Sequence, residues 1–191
     1  MLNQLRTAIT LLVILTALTG ILYPIAITGI AQGLFSYQAN GSRIIAGTKP
    51  LGSELIGQSF TDPRYFWNRL SATTPFPYNA ASSSGSNYGP TNPARVNSVR
   101  ARIQQLRQAD QMNRQPIPVD LVTSSASGLD PHISFAAALY QVPRVARFRG
   151  VPEDQIRTLV SRYTEKRMLG LLGEQRVNVL KLNLALDHLI N

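Results

Sequence analysis

The sequence predicts a mixed α/β or α+β domain carried behind a single N-terminal transmembrane helix. Three observations carry that prediction. An uncharged apolar run lies near the N-terminus, helical periodicity recurs in later stretches, and short apolar segments alternate with clusters of Pro, Gly, Ser and Asn.

The apolar run comes first. No charged side chain occurs between Arg6 and Arg43, and Ala8 to Ala31 is dominated by Ile, Leu, Val, Ala and Thr. A helix over that run is about 36 Å long, enough to cross a hydrocarbon core of roughly 30 Å. A cleaved signal peptide would carry a shorter apolar region closed by a small-x-small site, which this run lacks. The expected division is therefore residues 1–35 as anchor and 36–191 as one soluble domain, large enough for a core and too small for two. Thr16 with Gly20, and Gly29 with Gly33, place small residues four apart, a spacing on which a second membrane helix packs. The plainer alternative is that small residues are common in membrane helices generally. Pro24 predicts a kink. Arg6 and the N-terminal amine lie closer to the run than Arg43 and Lys49, which favours a cytoplasmic N-terminus.

Beyond Phe35, Asn40-Gly41-Ser42 signals a turn into the apolar pair Ile44-Ile45. Ser53 to Phe60 and Tyr65 to Ala72 predict short strands or extended segments, and Thr73 to Pro93 a long loop. Asn92 caps and Pro93 opens a helix to Ala109, with Val96, Val99, Ile103 and Leu106 on its apolar stripe. Arg95, Arg100, Arg102 and Arg107 then fall on its solvated faces. Val119 to Thr123 predicts a buried strand after Pro118, and Ser124 to Pro131 a small-residue loop. Ser134 caps a helix through Phe135 to Tyr140, which Pro143 interrupts or restarts. Pro152 opens a third helix with Glu153 and Asp154 in its first turn, and Ile156, Leu159, Val160 and Tyr163 form its stripe. Val177 to Leu180 predicts a last strand and Leu182 to Leu189 a terminal helix.

Composition excludes several chemistries. The chain has no cysteine, so disulfides, thiolate metal sites and a cysteine nucleophile are ruled out. Its two histidines, His132 and His188, belong to no metal-binding spacing, and no metal site is expected. The formal charge of +9 suits anionic lipid, an acidic partner or nucleic acid. Scattered arginines, the absence of any nucleic-acid motif and the anchor argue against nucleic acid. Ser127, Asp130 and His132 contain the residue types of a hydrolytic triad, but they crowd within six positions and lack a GxSxG elbow. Ser82 to Pro90 is Gly- and Ser-rich but is no P-loop, since the GK[ST] ending is missing. The residues thus favour a membrane-anchored binding or assembly subunit over an enzyme. Two alternatives stand beside it, a periplasmic hydrolase using Ser127 and His132 and a basic anchor for anionic envelope polymers.

Several blocks, in order, resemble the C subunit family of the bacterial Kdp potassium-transporting ATPase. They are Tyr23-Pro24, Gln38 to Ser42, GSELIGQSF (Gly52 to Phe60), YFWNRLSA (Tyr65 to Ala72), SSGSNYGPTNP (Ser83 to Pro93), PVDLVTSSASGLDPHIS (Pro118 to Ser134), AALYQVPRVAR (Ala137 to Arg147) and VNVLKLNLALD (Val177 to Asp187). One departure is Asn68-Arg69-Leu70-Ser71-Ala72, where the family usually has Gly-Arg-Pro-Ser-Ala. The resemblance implies an accessory, non-catalytic subunit of a potassium pump in the bacterial inner membrane, with its C-terminal domain in the periplasm. It implies a channel-like A subunit, a P-type ATPase B subunit and a small F peptide as partners. It also implies roles in assembly and as a catalytic chaperone raising the ATP affinity of the B subunit. A motif likened to an ABC-transporter signature maps to Ser125, Ser127, Gly128, Asp130 and Gln141. No cofactor of its own is implied, ATP entering through the ATPase subunit. A periplasmic domain cannot touch cytoplasmic ATP, so support over the external mouth of the A subunit is the physically preferred role. A basic domain there would repel potassium rather than concentrate it.

Overall fold

The computed structural model describes residues 1–189. The chain divides into two compact units, Met1–Leu51 and the remainder from Gly52 onward.

In the first unit one apolar helix, Leu2–Leu34, is long enough to cross a membrane, and its apolar side chains face outward. It comprises α1 (Leu2–Ala17), a π-helical turn (Leu18–Leu22) and α2 (Tyr23–Leu34). Pro24 explains the π turn. Its nitrogen carries no hydrogen for the Gly20 carbonyl, and its ring crowds that carbonyl. The helix widens there, and the Tyr23 N–H donates to Leu18 O, five residues back. A methyl group added at Gly29 or Gly33 would meet nothing within 4 Å, and one at Gly20 would only touch Thr16 Cγ2 at 3.9 Å. A single turn, α3 (Ser36–Ala39), precedes the expected Asn40-Gly41 turn. The chain then forms a two-stranded sheet, β1 (Arg43–Ala46) and β2 (Lys49–Ser53).

Among the described residues the second unit packs four helices around a small antiparallel sheet, so the fold is α+β. The helices are α4 (Pro93–Ala109), α5 (Phe135–Arg149), α6 (Glu153–Arg162) and α7 (Val179–His188). The sheet runs β3 (His132–Ser134), β5 (Arg176–Asn178), β4 (Thr164–Glu165), with Ile133 and Thr164 both opposite Val177. α5 occupies the centre. Its Val142 and Val145 are fully buried with Ile156 and Val160 of α6, Leu182 and Leu186 of α7, Ile133 and Val177 of the sheet.

Helix starts follow the capping chemistry of the sequence. Asn92 Oδ1 accepts from Ala94 N at 2.9 Å, Ser134 Oγ from Ala137 N at 3.0 Å, and Asn178 Oδ1 from Lys181 N at 3.1 Å. Several expectations are corrected. Val119 to Thr123 is no strand: Val119–Leu121 is a 3₁₀ turn that buries Leu121, while Val119 is exposed. Thr123 Oγ1 donates to Val119 O at 2.9 Å, a local bond that competes with sheet pairing. α5 runs straight through Pro143. Its flanking residues are buried on both sides, and Asn113 Nδ2 donates to the neighbouring Tyr140 carbonyl at 3.0 Å. β5 ends at Asn178 and α7 begins at Val179, earlier than expected, because Asn178 caps the helix.

Ser53 to Phe60 and Tyr65 to Ala72 lie outside the sheets, apart from Ser53 at the end of β2 and a single parallel bridge from Leu70 to Ser124. The second stretch is held by side chains instead. Asn183 Oδ1 accepts from Phe66 N at 2.9 Å and its Nδ2 donates to Phe66 O at 3.0 Å. Gln141 serves Trp67 likewise, at 2.8 and 3.1 Å. Two amides from α5 and α7 thus replace a neighbouring strand. Arg102 is not on a solvated face but 7% exposed, donating to Asn68 O and Leu121 O and lying 5.2 Å from the Trp67 ring. Arg144 lies 4.6 Å from the same ring. Burial pulls the Arg144 guanidinium down to about 10.

Candidate functional site

The block Ser124 to Pro131 and the loop around Ser71 to Ser86 fold onto each other. Ser125 N donates to Leu70 O at 3.2 Å, Ser84 N and Ser83 Oγ to Ser127 O at 3.0 Å each, and Ser71 Oγ to Gly128 O at 2.7 Å. Gly57 N donates to Leu129 O at 2.8 Å. Small residues are required because the backbones nearly touch. At Gly128, with φ +68°, an added Cβ would sit 2.5 Å from Thr73 Cγ2 and 2.7 Å from Ser84 O.

A charged cluster closes one side of this double loop. Arg69 Nη1 donates to Asp130 Oδ2 at 2.9 Å, and the His132 N–H donates to Asp130 Oδ1 at 3.0 Å. The His132 ring lies between two carboxylates, Nδ1 at 3.5 Å from Asp130 and Nε2 at 3.7 Å from Glu165. Arg176 Nε donates to Glu165 Oε2 at 2.8 Å. Burial pushes the Asp130 carboxyl up, but the hydrogen bonds from His132 and the Arg69 guanidinium outweigh it and hold it below its ordinary value. Glu165 is held low by Arg176 and His132 against a similar desolvation. Arg69, Asp130, His132 and Arg176 face an open cleft of about 520 Å³, lined also by Asp120, Lys166 and Glu174.

The structure therefore brings Ser125, Ser127, Gly128 and Asp130 together on one loop and places Gln141 apart, on α5. Ser125 is 4% exposed and Gln141 1%. Ser127 Oγ accepts from Leu129 N at 3.1 Å, while His132 faces Asp130 and Glu165. With both ring nitrogens turned to carboxylates, His132 is not posed to take a proton from Ser127. His188 is exposed on α7. Sequence reasoning missed Asn183, Arg102 and Arg144. The available signal was a polar residue set within an apolar helical stripe, as at Asn183 between Leu182 and Leu186.

Comparison with known proteins covers nearly the whole chain. The family model described as KdpC: K+-transporting ATPase, c chain, matches residues 5–188. A potassium-transporting ATPase KdpC subunit of Polaromonas naphthalenivorans is 62% identical over 187 residues, covering 98% of this chain and 95% of that protein. The corresponding subunit of Methylococcus capsulatus is 59% identical over 189 residues, covering 99% and 100%. That of Dechloromonas aromatica is 58% identical over 183 residues, covering 96% of each. The double loop, the cluster beside it and the bracketed Phe66-Trp67 segment are thus features of a chain that belongs to the KdpC family, the c chain of the K+-transporting ATPase.

Proposed function

We propose that the chain is the non-catalytic accessory subunit of an ATP-driven, high-affinity potassium uptake complex of the bacterial inner membrane. The Leu2–Leu34 helix anchors it, with the N-terminus in the cytoplasm and the domain from Gly52 onward in the periplasm. Its partners are the channel-like A subunit, the P-type ATPase B subunit and the F peptide. ATP is bound by the ATPase subunit, and this chain stabilises the assembly over the external mouth of the A subunit.

Family membership supports the place in the complex. The supporting role rests on where the signature residues lie. Ser125 and Gly128 tie two loops together and Gln141 brackets Trp67, so three of the five hold the domain's own chain, while Ser127 is exposed and Asp130 on the cleft wall is paired with Arg69.

The test is a mild-detergent purification of the tagged chain from potassium-starved cells. Recovery of a P-type ATPase and a channel-like protein at fixed stoichiometry is expected. Recovery of the chain alone, with those proteins expressed, would overturn the reading. A photoreactive ATP analogue added to the intact complex should label the ATPase subunit. Labelling of this chain would overturn the division of roles.

A further inference from the structure

Asn68 follows directly on the bracketed Phe66-Trp67 pair and is only 3% exposed. Among the described residues neither Oδ1 nor Nδ2 of its side chain has a hydrogen-bond partner, and Arg69 Nε has none either. Exchanging the two amide atoms changes nothing, because donor and acceptor are both unanswered. Buried polar groups are ordinarily satisfied, so an amide left in this way points to something that completes it.

Asn68, Arg69 and Arg102 line a cavity of about 160 Å³. Ser59 and Thr61, both exposed, also line it, so it is reached from solvent. Arg69 is balanced by Asp130, which it meets at 2.9 Å. Arg102 is not balanced. Its guanidinium donates to the carbonyls of Leu121 and Asn68 and to Gln105 Oε1, and among the described residues it pairs with no carboxylate. Burial pulls that guanidinium below its ordinary value. Buried charges are usually paired, and this one lies beside a cavity with two further unanswered N–H donors.

The donor set selects the occupant. Two guanidinium groups exclude a cation. Water would answer the Asn68 amide but leave the Arg102 charge uncompensated. A carboxylate side chain would answer the charge and the N–H groups, yet it has no hydrogen to give Asn68 Oδ1. A single negative charge, acceptor oxygens and one hydroxyl together meet every demand. At about 30 Å³ for each water molecule, the cavity has the volume of roughly five waters and admits only a small ion.

We propose that this cavity binds a small monovalent oxyanion bearing a hydroxyl, of the hydrogencarbonate or dihydrogenphosphate class, between Asn68, Arg69 and Arg102. The site lies wholly within this chain and stands apart from the accessory-subunit reading.

In the test, the full chain in mild-detergent micelles is titrated with sodium hydrogencarbonate at mildly alkaline pH, sodium chloride holding the ionic strength constant. Trp67, whose ring lies 5.2 Å from the Arg102 guanidinium, reports on the site. Its emission should change along a saturating curve. The unfolding midpoint should rise by about 3–6 °C at tenfold excess over half-saturation. Inorganic phosphate at mildly acidic pH is the second arm, and a response confined to one arm names the anion. Sodium acetate, with a methyl group where hydrogencarbonate has its hydroxyl, should bind about tenfold more weakly or worse. Arg69→Lys keeps a cation for Asp130 but loses the Nε–H, and should raise the half-saturating concentration about tenfold. Asn68→Leu removes both amide groups. It should abolish the response and leave the midpoint without the anion unchanged or higher, since two unpartnered groups leave the interior. No change in emission or midpoint with either anion would leave water as the occupant and overturn the proposal. An equal response to acetate, or a response that survives Asn68→Leu, would overturn it as well.

Discussion

Gln141 holds the Trp67 peptide from both sides, its Oε1 accepting the Trp67 N–H at 2.8 Å and its Nε2 donating to the Trp67 carbonyl at 3.1 Å. A single side chain on α5 thereby does for one residue what a neighbouring strand does in a sheet. Asn183 repeats the arrangement at Phe66, so two successive residues of a buried stretch outside the sheets are satisfied by amides.

Gln141→Ala should leave the Trp67 N–H and carbonyl buried without partners, at about 1–3 kcal/mol each. The denaturation midpoint should fall by the equivalent of roughly 2–6 kcal/mol, read from the fluorescence of Trp67, the single tryptophan. Gln141→Glu keeps the acceptor and the 2.6 Å contact from Arg144, so its loss should be smaller. Equal stability of Gln141→Ala and the natural chain would refute the bracket as an energetic feature.

Arg144→Lys should also destabilise, by about 1–3 kcal/mol. The guanidinium donates at once to the carbonyls of Pro63 and Tyr65 and to Gln141, and it stacks on Trp67. An ammonium cannot hold that planar arrangement. The tryptophan emission of the folded variant should shift as the ring loses its cationic neighbour, and an unchanged spectrum would count against the stack.

Gly128→Ala should loosen the double loop. The substitution meets both a left-handed backbone and contacts under 3 Å, a cost of about 1–3 kcal/mol. Limited proteolysis within 73–93 should accelerate several-fold, because local opening governs cleavage. Gly89→Ala, where an added Cβ meets nothing within 4 Å, should leave the rate unchanged.

Asp130 makes stability fall in acid. Its folded-state carboxyl lies below the ordinary value, so its contribution is present above the unfolded value of about 3.9 and disappears as pH drops through the lower folded one. The stability difference between the natural chain and Asp130→Asn should therefore shrink below about pH 4. A difference that grew in that range would reverse the sign assigned here.

Topology has its own measurement, helped by the absence of cysteine. A cysteine placed at exposed Ser83 should react with a membrane-impermeant maleimide added to intact spheroplasts, and one placed at Asn3 should not. The reverse pattern would invert the proposed orientation.

What the sequence reveals depends on whether a segment's partners are local. The span of α4 follows from Asn92-Pro93 and the spacing of its apolar residues, and the Ser134 cap is visible in the same way. Tyr65 to Ala72 is different. Its partners lie 74 and 117 residues away, and no periodicity announces a strand replaced by amides. Val119 to Thr123 has the composition of a buried strand, yet the Thr123 hydroxyl closes a turn on Val119. Arg102 looks like the other arginines of α4, and only Trp67 and two carbonyls make it a core residue. At the site, the Ser124 to Pro131 loop is evident from its small residues, whereas its docking on Ser71 to Ser86 depends on main-chain contacts and on serine hydroxyls that reach carbonyls 44 and 57 residues away, which no local pattern encodes.

The two brackets also fix an order of events during synthesis. Phe66 and Trp67 emerge early, but the amides that complete them belong to residues 183 and 141, which are made 117 and 74 residues later. Closure over such separations is slow and cannot begin before those residues exist. The Phe66 bracket therefore cannot close until Asn183 has been made, and the core around Phe66 and Trp67 stays incomplete and extensible until then.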